Sequence, residues 1–469
     1  MPKVPQRVGF ALLAAAFALA AWVMVGNGFA NYDTAYTLVW GDDLAHGRLP
    51  DYGVPVAPTP HPLATLGGVL LSPLGDGAET VVVIAALAFL GLLGAVTYRL
   101  GALWFGPAAG ALAALVIVTR EPVLSFGVRA YVDVPYLVLV LAALLVEARR
   151  PRAGVPVLVL LGLAGLLRPE AWLLSAAYVA YLAWAGERVA KPIAVAVAAP
   201  LLWALADLAI TGDPLYSLTG TRANAETLGR KTGLSNVPLT VPRRLGEIVR
   251  EPVLLGALAG GLLGLWLLRE RMRLAVAAGI VALVAFCVLA AAGLPILGRY
   301  LLLPATLLAI ACGAGAFGWT RLAADHPWRR RWQVVGALVL VALAVFTPRQ
   351  VQRIDSLRAN IAIQRDIRDD LHALADRAPL NGGCRPVAVP NHRPVPLLAL
   401  WLDLPPREIV SAQLRRPDTG LFIDPASARV RRNFTLDRND PGVLTATVPP
   451  GFRQAARNRS WVIYERCSN

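Results

Sequence analysis

The sequence predicts an α-helical polytopic membrane protein of about eleven transmembrane helices, followed by a small C-terminal α/β domain outside the cytoplasm. Three observations carry this prediction. First, 56% of the 469 residues are hydrophobic and only 16% are charged, with a mean hydropathy of +0.56. A soluble chain of that length needs more polar surface. Second, the apolar residues gather in runs of membrane-crossing length. Third, basic residues concentrate in alternate short connections, and from Arg349 the composition turns polar.

A spanning helix needs about 20 apolar residues, because the hydrocarbon core is about 30 Å thick and an α-helix rises about 1.5 Å per residue. Such runs start near Val8, Thr80, Ala102, Val132, Gly154, Ala171, Pro192, Pro252, Leu274, Ile296 and Gln333. One set of alternate connections holds Lys3 with Arg7, then Arg99, then Arg149, Arg150 and Arg152, then Arg188 with Lys191. It continues with Arg269, Arg271 and Arg273 and ends at Arg329, Arg330 and Arg331. Short basic connections mark the cytoplasmic side. The other set mixes both charges: Asn31 to Gly77, Arg120 to Tyr131, Arg168 to Glu170, Gly212 to Glu251, Gly293 to Pro295, and the tail. An odd number of spans with the N-terminus inside then sets the tail outside, in a multi-pass protein of a bacterial plasma membrane. The net charge of +15 is explained by this topology and gives no support to nucleic-acid binding. Gly28-Phe29-Ala30 is like a signal-peptide cleavage site, but the stretch from Val8 to Val25 is long for a signal core and reads as a retained helix.

The domain boundary is expected near residue 348, with a transmembrane domain over 1–348 and an extracytoplasmic domain over 349–469. Gln350 to Arg377 reads as an amphipathic helix, with Ile354, Leu357, Ile361, Ile367, Leu371 and Leu374 at helical spacing. Pro386 to Pro390 reads as a strand, Pro394 to Leu402 as a helix and Glu408 to Ala412 as a second strand, a βαβ-like unit. Trp461 to Arg466 reads as a last strand. Cys384 and Cys467 bracket this domain and are expected to form a disulfide at the ends of neighbouring strands. Cys287 and Cys312 lie inside apolar runs and read as small packing residues. The turn Asn391-His392-Arg393 precedes a helix N-terminus, where anions can bind; an ordinary polar turn is the stronger reading.

Charge is expensive in a membrane, so ionisable residues at the outer ends of spans are candidates for function. The first outer loop is the most distinctive: Asn31-Tyr32-Asp33-Thr34-Ala35-Tyr36, Asp42-Asp43, Gly47, Asp51-Tyr52-Gly53 and Pro60-His61-Pro62-Leu63. Arg129-Ala130-Tyr131-Val132-Asp133-Val134-Pro135 sets an acid at the outer start of the fourth span. Leu167-Arg168-Pro169-Glu170 caps the next outer turn, and Gly298-Arg299-Tyr300 with Pro304 opens the tenth span. In these motifs and their places in the topology, the first 350 or so residues resemble the GT-C class of integral-membrane glycosyltransferases. These take sugars from polyprenyl-phosphate donors, and include protein O-mannosyltransferases, lipid A aminoarabinose transferases and actinobacterial membrane glycosyltransferases.

The resemblance implies a GT-C-like fold and an inverting transfer of a hexosyl or pentosyl group. The expected partners are membrane lipid, the polyprenyl-phosphate-linked sugar as donor substrate, and a glycan or glycolipid acceptor. It makes Asp33 the candidate general base, acting on an acceptor hydroxyl. Arg129, Arg168 and Arg299 are candidates for the donor phosphate, since a guanidinium fits phosphate bidentately; Arg222, Arg230 and Lys231 are weaker ones. Asp133 is a candidate to position the sugar or hold a divalent cation, and Tyr36, His61 and Glu170 complete the substrate-binding set. Residue chemistry leaves other roles open. Asp33 could N-cap a helix from Thr34 to Ala45, Arg168 and Glu170 could be a local ion pair, and Arg299 could snorkel at the interface. Asp42 and Asp43 read as a solvated face sooner than a metal pair, and His61 either touches substrate or caps the segment it precedes. Asp33 lacks the adjacent acid that O-mannosyltransferases show, which favours a lipid or polysaccharide acceptor over a protein.

Two other classes compete: a transporter or flippase of lipid-linked sugars, and a non-catalytic envelope scaffold. The first is disfavoured because no internal repeat is visible and the acids sit in outer loops. The second draws on the tail, whose 19 Arg against 12 Asp and Glu suit an acidic partner. No phosphate-binding glycine loop, Cys/His metal spacing or nucleophile elbow is present in the sequence.

Overall fold

A computed structural model describes residues 6–375, 380, 384–435 and 446–467. Lys3 and the final residues of the Gln350–Arg377 segment lie outside them. Every apolar run of the sequence is helical. Six helices are long and apolar enough to cross a membrane: Arg7–Val25, Gly77–Phe105, Ala190–Thr211, Arg269–Ala291, Gly298–Arg321 and Arg329–Ala375. Two bent pairs raise the number to as many as eight. Pro107–Val118 and Glu121–Val128 meet at 65°, and Leu234–Val249 and Glu251–Leu267 at 105°. The chain is therefore a multi-pass membrane protein.

The runs near Val132, Gly154 and Ala171 account for the difference from eleven. They form the helices Asp133–Arg149, Val155–Gly165 and Glu170–Trp184, of 17, 11 and 15 residues. Each is shorter than the hydrocarbon core demands of an upright span. Charged residues set these ends, since Asp133 opens the first helix and Arg168-Pro169-Glu170 separates the other two. Arg99 is also placed differently from the expectation. It lies within Gly77–Phe105, and the chain turns only at Gly106, whose φ of +103° suits glycine.

The residues divide into two compact units: Met1–Asn27, Val83–Ala206 and Thr232–Leu357 in the first, and Gly28–Val82, Asp207–Lys231 and Arg358–Asn469 in the second. In the first unit, helices approach through small residues, as membrane helices commonly do. A Cβ added to Gly260 would meet the carbonyl of Ala311 at 1.9 Å, and one added to Gly313 would meet that of Ala109 at 2.3 Å. Leu302–Phe317 is thereby enclosed, with most of its residues buried.

The second unit contains a five-stranded sheet of β1 (Val387–Val389), β2 (Ile409–Ser411), β3 (Gly420–Pro425), β4 (Arg453–Arg457) and β5 (Trp461–Arg466), ordered β2-β1-β3-β5-β4. β1 runs parallel to β2 and β3, while β3–β5 and β5–β4 are antiparallel. The helix Val395–Leu402 makes the β1–β2 crossover, so the predicted βαβ unit is present. Cys384 and Cys467 are bonded, but β1 and β5 are not neighbours as expected, because β3 lies between them. The helix Tyr32–Ala45 belongs to the same core. Tyr36, Trp40 and Tyr52 pack with Leu371, Leu398, Val389 and Trp461. Gly41 lets this helix cross Pro62–Leu71 at Gly68, where an added Cβ would come within 2.3 Å of the Gly68 backbone.

The Cys384–Cys467 bond closes a loop of sequence separation 83, long enough to restrict the unfolded chain by about 2–4 kcal/mol. Reducing it, or replacing both cysteines with serine, is expected to lower the thermal midpoint of this unit in purified protein. An unchanged midpoint on reduction would remove the disulfide from the account of its stability.

Candidate active-site residues in the two units

In the second unit, Asn31 shapes the first outer loop. Its backbone is extended and its side-chain oxygen accepts hydrogen bonds from the amides of Asp33, at 2.7 Å, and Thr34, at 3.2 Å. Asn31 is thus the N-cap, and Asp33 is not. Asp33 stands in the first helical turn, half-buried, where the helix dipole favours negative charge. The capping role therefore belongs to Asn31 and not to the Asp33 carboxylate.

Tyr36, one turn on, is wholly buried. Its ring lies 5.1 Å from those of both Tyr32 and Trp40. Burial pushes the phenols of Tyr32 and Tyr36 far up, with added repulsion from Asp33 on the first and Asp51 on the second. Both phenols therefore stay protonated, and neither serves as a base. His61 is nearly buried at the N-cap position of Pro62–Leu71, yet its side chain makes no capping bond. Asp42 and Asp43 share Arg48, each at 2.9 Å, and Ser72 donates to Asp42 at 2.6 Å. They form an ion-paired face. Among the described residues, no group of three or more His, Cys, Asp and Glu is arranged to hold a metal. Asn391 and His392 are buried, with the His392 ring 5.2 Å from Tyr32. This turn is packed into the unit and not open to an anion.

The first unit gathers the other candidates. Arg168, in the turn before Pro169, donates to the Asp133 carboxylate at 2.5 Å and to one oxygen of Glu170 at 2.8 and 3.1 Å. Arg168, Asp133 and Glu170 are all buried. The Arg168 guanidinium also lies 4.0 Å from the centre of the Tyr300 ring and 6.0 Å from that of Tyr136. Arg168 and Glu170 therefore form an ion pair, one of the two roles left open for them, and it extends to Asp133. Arg299 approaches the second oxygen of Asp133 at 3.9 Å and lies 5.2 Å from the Tyr131 ring, so it is engaged with the cluster as well as near the surface. Arg129 donates to Ser125 at its carbonyl, at 3.1 Å, and at its hydroxyl, at 2.8 Å, and lies 5.3 Å from the centre of the Tyr131 ring. The second carboxylate oxygen of Glu170 is buried and accepts no hydrogen bond among the described residues.

Five of the eight catalytic and substrate-binding candidates thus fall in one cluster of three guanidiniums and two carboxylates: Arg129, Asp133, Arg168, Glu170 and Arg299. Asp33, Tyr36 and His61 belong to the second unit, as do Arg222, Arg230 and Lys231. Sequence reasoning passed over the rings of Tyr131, Tyr136 and Tyr300 as site residues. The signal for two of them was present, because Tyr131 follows Arg129 by two positions and Tyr300 follows Arg299 directly.

No protein-family model matches the sequence, and no curated protein matches it. Two crystal structures of ArnT from Cupriavidus metallidurans are similar to this chain. The one bound to undecaprenyl phosphate is 15% identical with a TM-score of 0.56, and the match covers 98% of this chain and 97% of that one. The apo structure is 16% identical with a TM-score of 0.57, covering 98% of both chains. The likeness is one of fold, and it runs from end to end, including the C-terminal sheet.

Arg168 holds two buried carboxylates, so its replacement by Met is expected to destabilise the first unit by about 3–5 kcal/mol. Pairing that change with Asp133→Asn and Glu170→Gln should recover much of the loss, because no uncompensated charge then remains. Thermal unfolding of the purified variants reads both effects. A single Arg168→Met variant as stable as the wild type would show that the carboxylates are not held by it.

Proposed function

We propose that this chain is an inverting membrane glycosyltransferase of the GT-C type that moves a sugar from a polyprenyl-phosphate donor to an acceptor hydroxyl on the outer face of the membrane. The observation that carries this reading is the end-to-end fold likeness to an ArnT that binds undecaprenyl phosphate. Loop residues at matching positions of the topology support it, as described above. In this reading the chain crosses the membrane about eleven times, with a cytoplasmic N-terminus and an extracytoplasmic domain beginning near residue 349. The shorter helices then cross as tilted or partial spans. The acceptor is a lipid-borne sugar or polysaccharide.

The chemistry follows from what the donor already provides. The acceptor oxygen attacks the anomeric carbon, the bond from that carbon to the phosphate oxygen breaks, and its electron pair leaves on the phosphate. Asp33 receives the hydroxyl proton as general base. It stands in the first turn of Tyr32–Ala45, with its backbone amide tied to Asn31. The leaving phosphate needs positive charge and hydrogen-bond donors and no proton of its own. Arg299 and Arg129 supply these, each lying over the Tyr131 ring. Arg168 is a positioning residue in this scheme. Its donors are spent on Asp133 and Glu170, which fixes Asp133 to orient the sugar. Tyr36 acts through packing, and His61 lines the start of the returning segment.

Asp33→Asn keeps the size and the backbone bond of the residue while removing its basicity. Transfer from a polyprenyl-phosphate sugar is expected to fall by about 10²-fold or more, with normal abundance of the variant in the membrane. Full activity in that variant would sink the assignment of Asp33 as base.

A further inference from the structure

Three arginines from distant parts of the chain meet where two bent helix pairs of the first unit break, apart from the Arg168 cluster. Arg120 stands in the 65° break between Pro107–Val118 and Glu121–Val128, and Arg250 in the 105° break between Leu234–Val249 and Glu251–Leu267. Arg120 is buried and tied down: its donors go to the carbonyl of Val116 at 3.1 Å, the carbonyl of Val249 at 3.2 Å and the hydroxyl of Thr119 at 3.4 Å. It therefore pins one break against the other. Gln350 brings in the last long helix by donating to the carbonyl of Thr119 at 2.6 Å, and Arg353 lies one turn further on. Arg120, Arg250 and Arg353 lie within electrostatic reach of one another.

Like charges do not gather without a reason, and here the local carboxylates are few. Glu121 is 4.0 Å from Arg250; Glu251 and Glu247 lie farther off, and Glu247 is already held by Arg243 at 3.0 Å and Arg244 at 2.6 Å. Two further observations bear on an anion ligand. One terminal nitrogen of Arg353 is buried with no hydrogen-bond partner among the described residues, an arrangement that costs free energy unless a ligand completes it. Arg250 itself adopts φ +72° and ψ 163°, a backbone region that is almost reserved for glycine and that costs other residues about 1–3 kcal/mol. Glycine would suit the break better, so the arginine side chain stands here at a backbone cost.

We infer that Arg250 and Arg353, braced by Arg120, form a second anion site that takes the phosphate of a membrane lipid. A guanidinium pair meets phosphate oxygens in bidentate fashion. Arg120 and Arg250 stand at the breaks of apolar bent pairs, while Arg353 follows the apolar first half of Arg329–Ala375, where apolar chain gives way to charge as at a headgroup layer. The anion could come from a bilayer phospholipid or from a polyprenyl monophosphate. The site requires only their shared chemistry and does not depend on the proposed transfer.

The test uses the full-length purified protein and reads retained lipid by native mass spectrometry, titrating phosphatidylglycerol and a polyprenyl monophosphate separately. Arg250→Gln and Arg353→Gln are each expected to weaken retention about ten-fold or more. Loss confined to phosphatidylglycerol identifies a bilayer lipid, and loss confined to the polyprenyl monophosphate identifies the isoprenoid; either supports the site. Arg250→Gly separates binding from folding, because it should raise thermal stability by relieving the backbone while still losing lipid. Undiminished retention of both lipids in the two glutamine variants overturns the inference, as does Arg250→Gly binding as tightly as the wild type.

Discussion

A guanidinium taken out of water among membrane helices has to be paired on every side that carries a donor, and Arg168 meets that demand. Asp133 and Glu170 take its hydrogen bonds, and Tyr300 lies over its face. These partners come from the starts of two helices and from a short turn before a third. The pairing therefore fixes where those helices begin, and with them the positions of Arg299 and Tyr131. It also explains why the helices are short, since each gives up a terminal turn to the charge cluster. A buried ion network of this kind adds little net stability. Its value lies in geometry, because the cost of leaving any member unpaired forbids alternative arrangements.

The second unit solves a different problem by packing. A loop bearing a candidate base has to be held still to be useful. Tyr36 and Trp40 bury one face of Tyr32–Ala45 in the core that includes Leu398, Leu371 and Trp461. Gly41 and Gly68 remove the side chains that would keep Pro62–Leu71 away. Asp33 stands on the first turn of this anchored helix, with Asn31 satisfying the amides that the carboxylate would otherwise have capped. Placement of the acid and rigidity of its support thus come from separate residues.

Much of this was legible in the sequence, and the exceptions have physical causes. Hydropathy found the long apolar helices, because burial in lipid demands long apolar runs, but not the 10-residue Pro62–Leu71 or the 8-residue Glu121–Val128. It could not find their lengths, which depend on where Arg168 and Asp133 meet across 35 positions of chain. The strand Trp461–Arg466 and the Cys384–Cys467 pair were visible from β-branched and aromatic residues and from cysteine position. β3 was missed although Gly420–Pro425 contains Leu421, Phe422 and Ile423, because a central strand buried on both faces has no alternation to read. The cap role left open for Asp33 falls two residues earlier, on Asn31, since Asn and Asp are both good caps and only the backbone distinguishes them. The joining of three arginines at two helix breaks left no local trace at all.

Sugar transfer is the central claim, and the most direct measurement of it is product formation by the purified protein reconstituted in vesicles with a labelled polyprenyl-phosphate sugar and a lipid-borne glycan acceptor. The account predicts acceptor-dependent release of polyprenyl phosphate in step with labelled product whose anomeric configuration is inverted relative to the donor. Movement of the intact labelled donor across the bilayer, with neither phosphate release nor product, would contradict it.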